Sequence, residues 1–209
     1  MRWPEIQLHR FCKTGSGGTP ATDKKEIFYG GTIPWVKSGE LKDDVLLGTE
    51  EFITEKGLAE SSAKWAPKGA VLIAMYGATV GRTALLGIDA TTNQAVCNVI
   101  PNPLIADNLY IWYAIRASVT HLLSRRVGGA QPNISQKIIR SMPIPLPALS
   151  EQHRIVEILY QADALRKKRA EADAKASRIL PALFYKMFGD PATNPRNWNI
   201  KSLGQVIRG

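Results

Sequence analysis

Over the first 149 residues apolar side chains come in short blocks set off by glycine and proline, and beyond them they recur with a seven-residue beat. The blocks have strand length. Ile33-Pro34-Trp35-Val36-Lys37 predicts a strand ending at the turn residues Ser38-Gly39. Ala70-Val71-Leu72-Ile73-Ala74-Met75-Tyr76 predicts another, started after Pro67-Lys68-Gly69 and stopped by Gly77. Thr83–Leu86 and Ala95–Ile100 predict two more, separated by Gly87-Ile88-Asp89. Helices are fewer. Thr54 is a suitable N-cap for a helix reaching Ala63, although Gly57 weakens it. Leu109, Trp112, Tyr113, Arg116 and Leu122-Leu123 mark a longer helix from Asp107 to Arg125-Arg126, closed by Gly128-Gly129. Ile134–Arg140 reads as one more short helix. The run Met142-Pro143-Ile144-Pro145-Leu146-Pro147 must be extended, since each proline biases its predecessor away from helix.

Ser150-Glu151-Gln152 then opens a long helical segment. Ile155, Ala162, Ala176 and Leu183 recur at one seam position, and Ile158, Leu165, Ala172 and Ile179 at the other, interrupted by Arg169 and Lys186. Such a seam wants a partner helix. About 30 helical residues span ~45 Å. Pro181 should kink or end the helix near its C-terminus. After Phe188-Gly189-Asp190-Pro191, a turn-rich stretch leads to Trp198, Leu203, Val206, Ile207 and Arg208. These stand at the relative offsets of Trp3, Leu8, Phe11, Cys12 and Lys13, as the opening of a second copy of the unit. The expected organisation is α+β: a mixed, β-rich domain over 1–149, a coiled-coil-type spacer helix over 150–188, and over 189–209 a linker with the truncated start of a second copy.

Charge adds a partner class. The chain has 27 Lys and Arg against 18 Asp and Glu, a formal charge of +9, which favours a polyanion such as nucleic acid. Its distribution says more. Residues 40–60 hold Glu40, Asp43, Asp44, Glu50, Glu51, Glu55 and Glu60, whereas 61–149 hold eight Lys and Arg against Asp89 and Asp107. On DNA the acidic stretch should face away and the later half should supply most phosphate contacts. Cys12 and Cys97 sit in apolar settings without a disulfide spacing and read as buried free thiols of a reducing compartment. Arg2, Trp3 and Pro4 break any apolar run at the start, and no stretch reaches the ~18 apolar residues of a membrane span. A cytoplasmic protein without a membrane partner is expected.

Glycine-rich turns at Gly17-Gly18, Gly77, Gly81 and Gly128-Gly129 permit close backbone approach to a ligand. Beside them stand side chains suited to base edges: Arg82 for guanine, Asn93, Gln94, Gln131 and Asn133 for adenine, and Thr79 for several partners. Asn93-Gln94, at the mouth of a strand, serves equally well to build a turn. Gln131 and Asn133 lie on a loop between helix and strand, where base contact is the better reading. Lys24, Lys25, Lys37, Arg125 and Arg126 suit phosphates. Tyr76 reads as core or rim packing rather than a stacking platform.

Catalysis finds no support. A DNA methyltransferase needs a glycine-rich loop after its first strand and an Asn/Asp-Pro-Pro-aromatic motif, and Asn102-Pro103 lacks the second proline and the aromatic. Asp23 with Glu40-Leu41-Lys42 has the composition of a metal nuclease set, but on a polar loop and after a glycine turn. His9, His121 and His153 are too scattered for a zinc site or a triad. No catalytic residue, metal or cofactor is expected on this chain.

Five motifs stand in one order: Gly17-Gly18-Thr19-Pro20 with Tyr29–Gly39, Leu72–Thr79 with Gly81-Arg82-Thr83, Ala90–Ala95, Gly129–Ser135, and Pro143–Pro147 with Glu151–Val156. In that order they resemble the target-recognition domain and spacer helix of the specificity (S) subunit of type I restriction–modification systems, over essentially the whole chain. The resemblance implies two recognition domains in tandem in full-length members, with antiparallel spacer helices and one half of a split DNA site read by each domain. Here one unit is complete and only the opening of a second is present. The partners implied are double-stranded DNA, DNA methyltransferase (modification) subunits carrying S-adenosylmethionine, and restriction subunits using ATP and Mg2+ in the larger complex. Without the second helix, a homodimer through Ile155, Ile158, Ala162, Leu165, Ala172, Ile179 and Leu183 is expected. The alternative is a structural or regulatory protein that pairs through its helix and reads no DNA.

Overall fold

The apolar blocks become strands of two packed sheets. The computed structural model describes residues 3–124 and 133–207 and divides into two units, Met1–Glu157 and Ile158–Gly209. The first unit opens with β1 (Glu5–Gln7), β2 (Cys12–Ser16), α1 (Lys25–Phe28), β3 (Tyr29–Val36), β4 (Asp44–Leu46), β5 (Phe52–Ile53), α2 (Glu55–Ala59) and β6 (Trp65–Ala66). It continues with β7 (Val71–Ala74), β8 (Thr83–Leu86), β9 (Ala90–Thr92), β10 (Val96–Pro101), α3 (Asn108–Ser124), α4 (Gln136–Ser141) and β11 (Pro143–Pro145). α5 (Leu149–Ala176) begins in this unit and runs into the second, which adds α6 (Ile179–Phe188) and α7 (Leu203–Val206).

β7 is the middle strand of a five-stranded sheet ordered β2-β10-β7-β8-β4, antiparallel except for the parallel β4–β8 pair. Its alternate side chains enter two cores. Val71 and Ile73 join Leu8, Val99, Ile111 and Ile115 on the face covered by α3, whereas Leu72 and Ala74 join Val36, Leu46, Ala84 and Leu86 on the other. A strand buried on both faces has no polar alternate, hence the unbroken apolar run. The second sheet, β5-β3-β9-β6, places Ile33, Trp35 and Ile53 in a cluster with Ala63. β1 pairs with β11, Ile6 opposite Ile144, and the Leu8 N–H donates to the Met142 carbonyl at 3.0 Å, so the two ends of the domain close on each other. The class is α+β, as expected. Cys12 and Cys97 are both buried, and burial pushes each thiol up to about 12.

Local chemistry explains the element ends. Thr54 caps α2 by accepting the Gly57 N–H at 3.0 Å, but the helix stops at Ala59, short of the expected Ala63. The expected long helix is two helices. Pro181, third residue of α6, has no N–H for the Ser177 carbonyl, so the break falls at Ser177-Arg178, ahead of the proline. α5 is anchored by Gln152, which is fully buried. Its Oε1 accepts the Asp107 N–H at 2.9 Å, and its Nε2 donates to the Ile105 and Pro147 carbonyls at 3.0 and 2.8 Å. Ile155, one of the expected seam residues, packs instead on the domain core beside Val156. Ile158, Leu165, Ile179 and Leu183 are exposed, as are Ala162 and Ala172.

Within the second unit, the segment after α6 folds back on that helix. Gly189 at φ +82° ends α6, and the Trp198 indole donates to the Phe188 carbonyl at 2.9 Å. The helical turn of α7 stands at the offset of a 3-10 turn at Leu8–Arg10.

Candidate nucleic-acid interface

Met75, directly after β7, joins two loops to a third. Its N–H donates to the Ala95 carbonyl at 2.8 Å, and its carbonyl accepts the Ile134 N–H at 2.7 Å. Asn93-Gln94 and Asn133 are thereby held beside the β7–β8 loop, which carries Thr79 and Arg82. Five of the six expected base readers gather at one end of the central sheet. The sixth, Gln131, lies outside the described residues, as do Arg125 and Arg126. The β7–β8 loop is a pair of tight turns: Val80 N–H to the Gly77 carbonyl at 3.2 Å, then Arg82 N–H to the Thr79 carbonyl at 2.9 Å. Gly77 and Gly81 supply the positive φ these turns need, +83° and +81°. Arg82, Gln94 and Asn133 are exposed, Thr79 and Asn93 half-buried, and Tyr76 stands at the exposed rim.

The Gly17-Gly18-Thr19-Pro20 segment borders the same end. The Gly17 N–H donates to the Val96 carbonyl at 3.3 Å and the Gly18 N–H to the Thr92 carbonyl at 2.9 Å. The Trp35 indole donates to the Gly18 carbonyl at 2.9 Å and the Tyr29 hydroxyl to the Pro20 carbonyl at 2.8 Å. A Cβ on Gly17 would overlap the Thr92 carbonyl. These glycines let backbones pack closely. Thr19 reaches the site through its hydroxyl, which donates to the Gln94 side-chain oxygen. The Asn93 side-chain oxygen Oδ1 accepts the Ala95 N–H at 3.2 Å, so Asn93 builds the turn into β10.

Charge at the site is paired. Arg82 Nη1 lies 2.7 Å from Asp43 Oδ2, and Asp43 Oδ1 accepts the Thr83 N–H at 2.9 Å and the Thr83 hydroxyl at 3.0 Å. Burial alone would raise the Asp43 carboxyl, but the bonds from Thr83 and Arg82 outweigh it and hold the group below its ordinary value. Lys37 is ion-paired to Glu51, and that hydrogen bond, against some desolvation and with help from Glu40 and Glu50, raises its ammonium. It thus lies in the field of the acidic stretch expected to face away from DNA. Lys24 sits 5.7 Å over the Phe28 ring, and Lys25 opens α1 on the surface. Glu40 accepts the backbone N–H groups of Lys37 and Glu50, which gives it a local structural role.

The sequence reading passed over Asp43 and Arg116 as site residues. Asp43 meets Arg82 only through the parallel β4–β8 pairing, a contact between positions 39 apart. Arg116 stacks on Trp112 and Tyr113, at 5.0 and 5.7 Å from their ring centroids, and the i, i+3, i+4 spacing on one helix was its signal. Among the described residues no three His, Cys, Asp or Glu converge to hold a metal ion, and no helix is long and apolar enough to cross a membrane.

Solved structures share this fold. The chain superposes on the HsdS subunit from Thermoanaerobacter tengcongensis with a TM-score of 0.61 at 23% identity, over 90% of this chain and 45% of that one. A chain from a study of complex assembly and conformational transition of the type I R-M system gives 0.68 at 23% identity, over 88% and 45%. The family follows from sequence. The family described as Type I restriction modification DNA specificity domain matches residues 2–172, and the chain belongs to it. It is 32% identical over 169 residues to the Type I restriction enzyme EcoR124I/EcoR124II specificity subunit of Escherichia coli, covering 78% of this chain and 42% of that subunit. It is 27% identical over 225 residues to the Type I restriction enzyme MjaIX specificity subunit of Methanocaldococcus jannaschii, covering 99% and 52%. The chain spans about half the length of the curated relatives it matches.

Proposed function

We propose that this chain is a non-catalytic DNA reader in a type I restriction–modification complex, where it reads one half of a split site and positions methyltransferase subunits. The observation that carries the reading is the gathering of Thr79, Arg82, Asn93, Gln94 and Asn133 around Met75 in a chain of the DNA specificity family. Reading a groove requires polar side chains on a platform that is rigid before DNA arrives, and three loops tied to one strand end meet that requirement. Gln94, Asn133 and Gln131 are the proposed adenine contacts. Lys24, Lys25, Arg125 and Arg126 are the proposed phosphate contacts, and Lys37 joins them once Glu51 releases it. The methyltransferase subunits bring S-adenosylmethionine, and restriction subunits bring the ATP- and Mg2+-dependent step, all in the cytoplasm.

Methylome sequencing of cells with and without the intact gene tests the reading. Methylation is expected to disappear from one split motif, and identical methylomes would defeat the proposal. The purified chain given S-adenosylmethionine, ATP and Mg2+ should neither methylate nor cut. Activity that survives removal of partner subunits and is lost in Glu40→Ala would overturn the non-catalytic role. Two copies are proposed to pair antiparallel through the exposed seam of Ile158, Leu165, Ile179 and Leu183. Sedimentation should show a smaller species for Leu165→Asp, and a wild-type monomer at high concentration would sink the pairing.

A further inference from the structure

Asp43, the residue before β4, is clamped to Thr83 from both its backbone and its side chain. It stands at φ +57°, and its N–H donates to the Thr83 carbonyl at 2.8 Å. Its Oδ1 accepts the Thr83 N–H at 2.9 Å and the Thr83 hydroxyl at 3.0 Å. The direction of that second bond is fixed by Trp112, whose indole lies 2.9 Å from the same hydroxyl. An indole N–H only donates, so the hydroxyl accepts from Trp112 and gives its own proton to Asp43. Thr83 and Trp112 are buried, which makes them a rigid base for the carboxylate.

The other oxygen, Oδ2, takes Arg82 Nη1 at 2.7 Å. The backbone of Arg82 is held as well, with its N–H on the Thr79 carbonyl at 2.9 Å and its carbonyl accepting the Ala74 N–H at 2.8 Å. Root and tip of the side chain are thus both fixed, yet 60% of the side chain stays exposed. No hydrogen bond among the described residues reaches its Nε or Nη2. That edge carries two parallel N–H donors, which match the N7 and O6 acceptors of a guanine in the major groove. A phosphate also fits such an edge, but here it would stand close to the Asp43 carboxylate and be repelled. A neutral base edge meets no such repulsion. An arginine already ordered also loses less freedom on binding.

Resting on the DNA-reading proposal above, we infer that Asp43 is a specificity-positioning residue, which holds Nη1 of Arg82 so that the Nε–Nη2 edge reads one guanine of the half-site.

The test is selection from a duplex library randomised over its central positions, by the full chain in complex with its methyltransferase subunits. Arg82→Ala should lower the preference for guanine at one base pair about thirtyfold and leave the other positions of the motif unchanged. In Asp43→Asn the two Thr83 donors keep the amide oxygen at the Oδ1 position, so its NH2 meets Arg82, donor against donor. This variant should relax the same base pair about fivefold, and add nothing in the Arg82→Ala background. Asp43→Gly, which suits the positive φ, removes the carboxylate altogether and should relax that pair too. Thermal melts verify that each variant is folded.

The salt dependence of cognate binding should keep its slope in Arg82→Ala. A slope lowered by about one unit, with affinity lost on every sequence, would mark a phosphate contact and overturn the inference. Relaxation at Arg82→Ala that neither Asp43 variant shares would overturn the positioning role. If the wild-type complex enriches a motif that Arg82→Ala leaves unchanged, the inference falls while the DNA reading stands. If the wild-type complex enriches no sequence, the reading falls and the inference with it.

Discussion

Gly17-Gly18 and Gly77 border the same end of the first unit, yet their surroundings are opposite. A Cβ on Gly17 would overlap the Thr92 carbonyl, and one on Gly18 would overlap the backbone of Ser62-Ala63. At Gly77 a Cβ would meet nothing within 4 Å, and the glycine is required only because φ is +83°. Gly17-Gly18 uses glycine for space and Gly77 uses it for conformation, while Gly81 answers to both, with φ +81° and the Leu123 and Val119 side chains 2.6 and 2.8 Å from a Cβ built there. A glycine-rich motif therefore does not by itself mark where DNA approaches. Its neighbours decide that, and they place Gly17-Gly18 in the scaffold and Gly77 on the side that meets the solvent.

The largest effect that could break this contrast belongs to Gly17→Ala. The obstructing atoms are backbone, so no rotamer change relieves them, and β9 or β2 must move. We expect a loss of about 3 kcal/mol or more in urea denaturation. A variant as stable as wild type would show that the segment is not packed as described. Next comes a signature read on DNA. Asn133→Ala and Gln131→Ala should cost roughly 1–3 kcal/mol on cognate DNA alone. Equal losses on cognate and random duplexes would remove that loop from the reading surface.

Gly77→Ala should fall between structure and surface. With open space around it, the substitution meets only the penalty of positive φ, about 1 kcal/mol. Gly77→Asn should cost less, since Asn tolerates that region better. A loss at Gly77 as large as at Gly17 would erase the distinction between space and conformation.

How much of this was legible in the sequence depended on whether a signal was local. Thr83–Leu86, Thr54 as a cap and the extended Pro143–Pro145 were read correctly because each rests on adjacent residues. β2 was missed because Lys13, Thr14 and Gly15 on an edge strand show no apolar alternation. β9 was missed because it is three residues long and its buried Thr91 and Thr92 look polar. The candidate side chains were visible one by one, but the node at Met75 that unites them is made of backbone hydrogen bonds between residues far apart in sequence. The Arg82–Asp43 pair was hidden for the same reason, and Asp43 was counted only among the acidic residues of 40–60.

The smallest effect sharpens the comparison by pH. Gly18 hydrogen-bonds to the Thr92 carbonyl and the Trp35 indole, neither of which titrates near neutrality, whereas the end of the Gly77–Gly81 loop is held by a carboxylate. The Asp43 carboxyl lies below its ordinary value of 3.8 in the folded protein. A group depressed on folding stabilises the protein above its unfolded value and loses that contribution as pH falls through the folded one. The Asp43 contribution should therefore be complete at neutral pH and fade only below about 3.8. Hydrogen exchange provides the measurement. On acidification the Thr83 amide, which donates to Asp43, should lose protection before the Gly18 amide does, after correction for intrinsic exchange rates. In Asp43→Asn the Thr83 amide should be less protected at neutral pH and lack this acid step. Loss of both protections together at one pH would mean that acid unfolds the unit globally, and that the two glycine segments are not separable in stability.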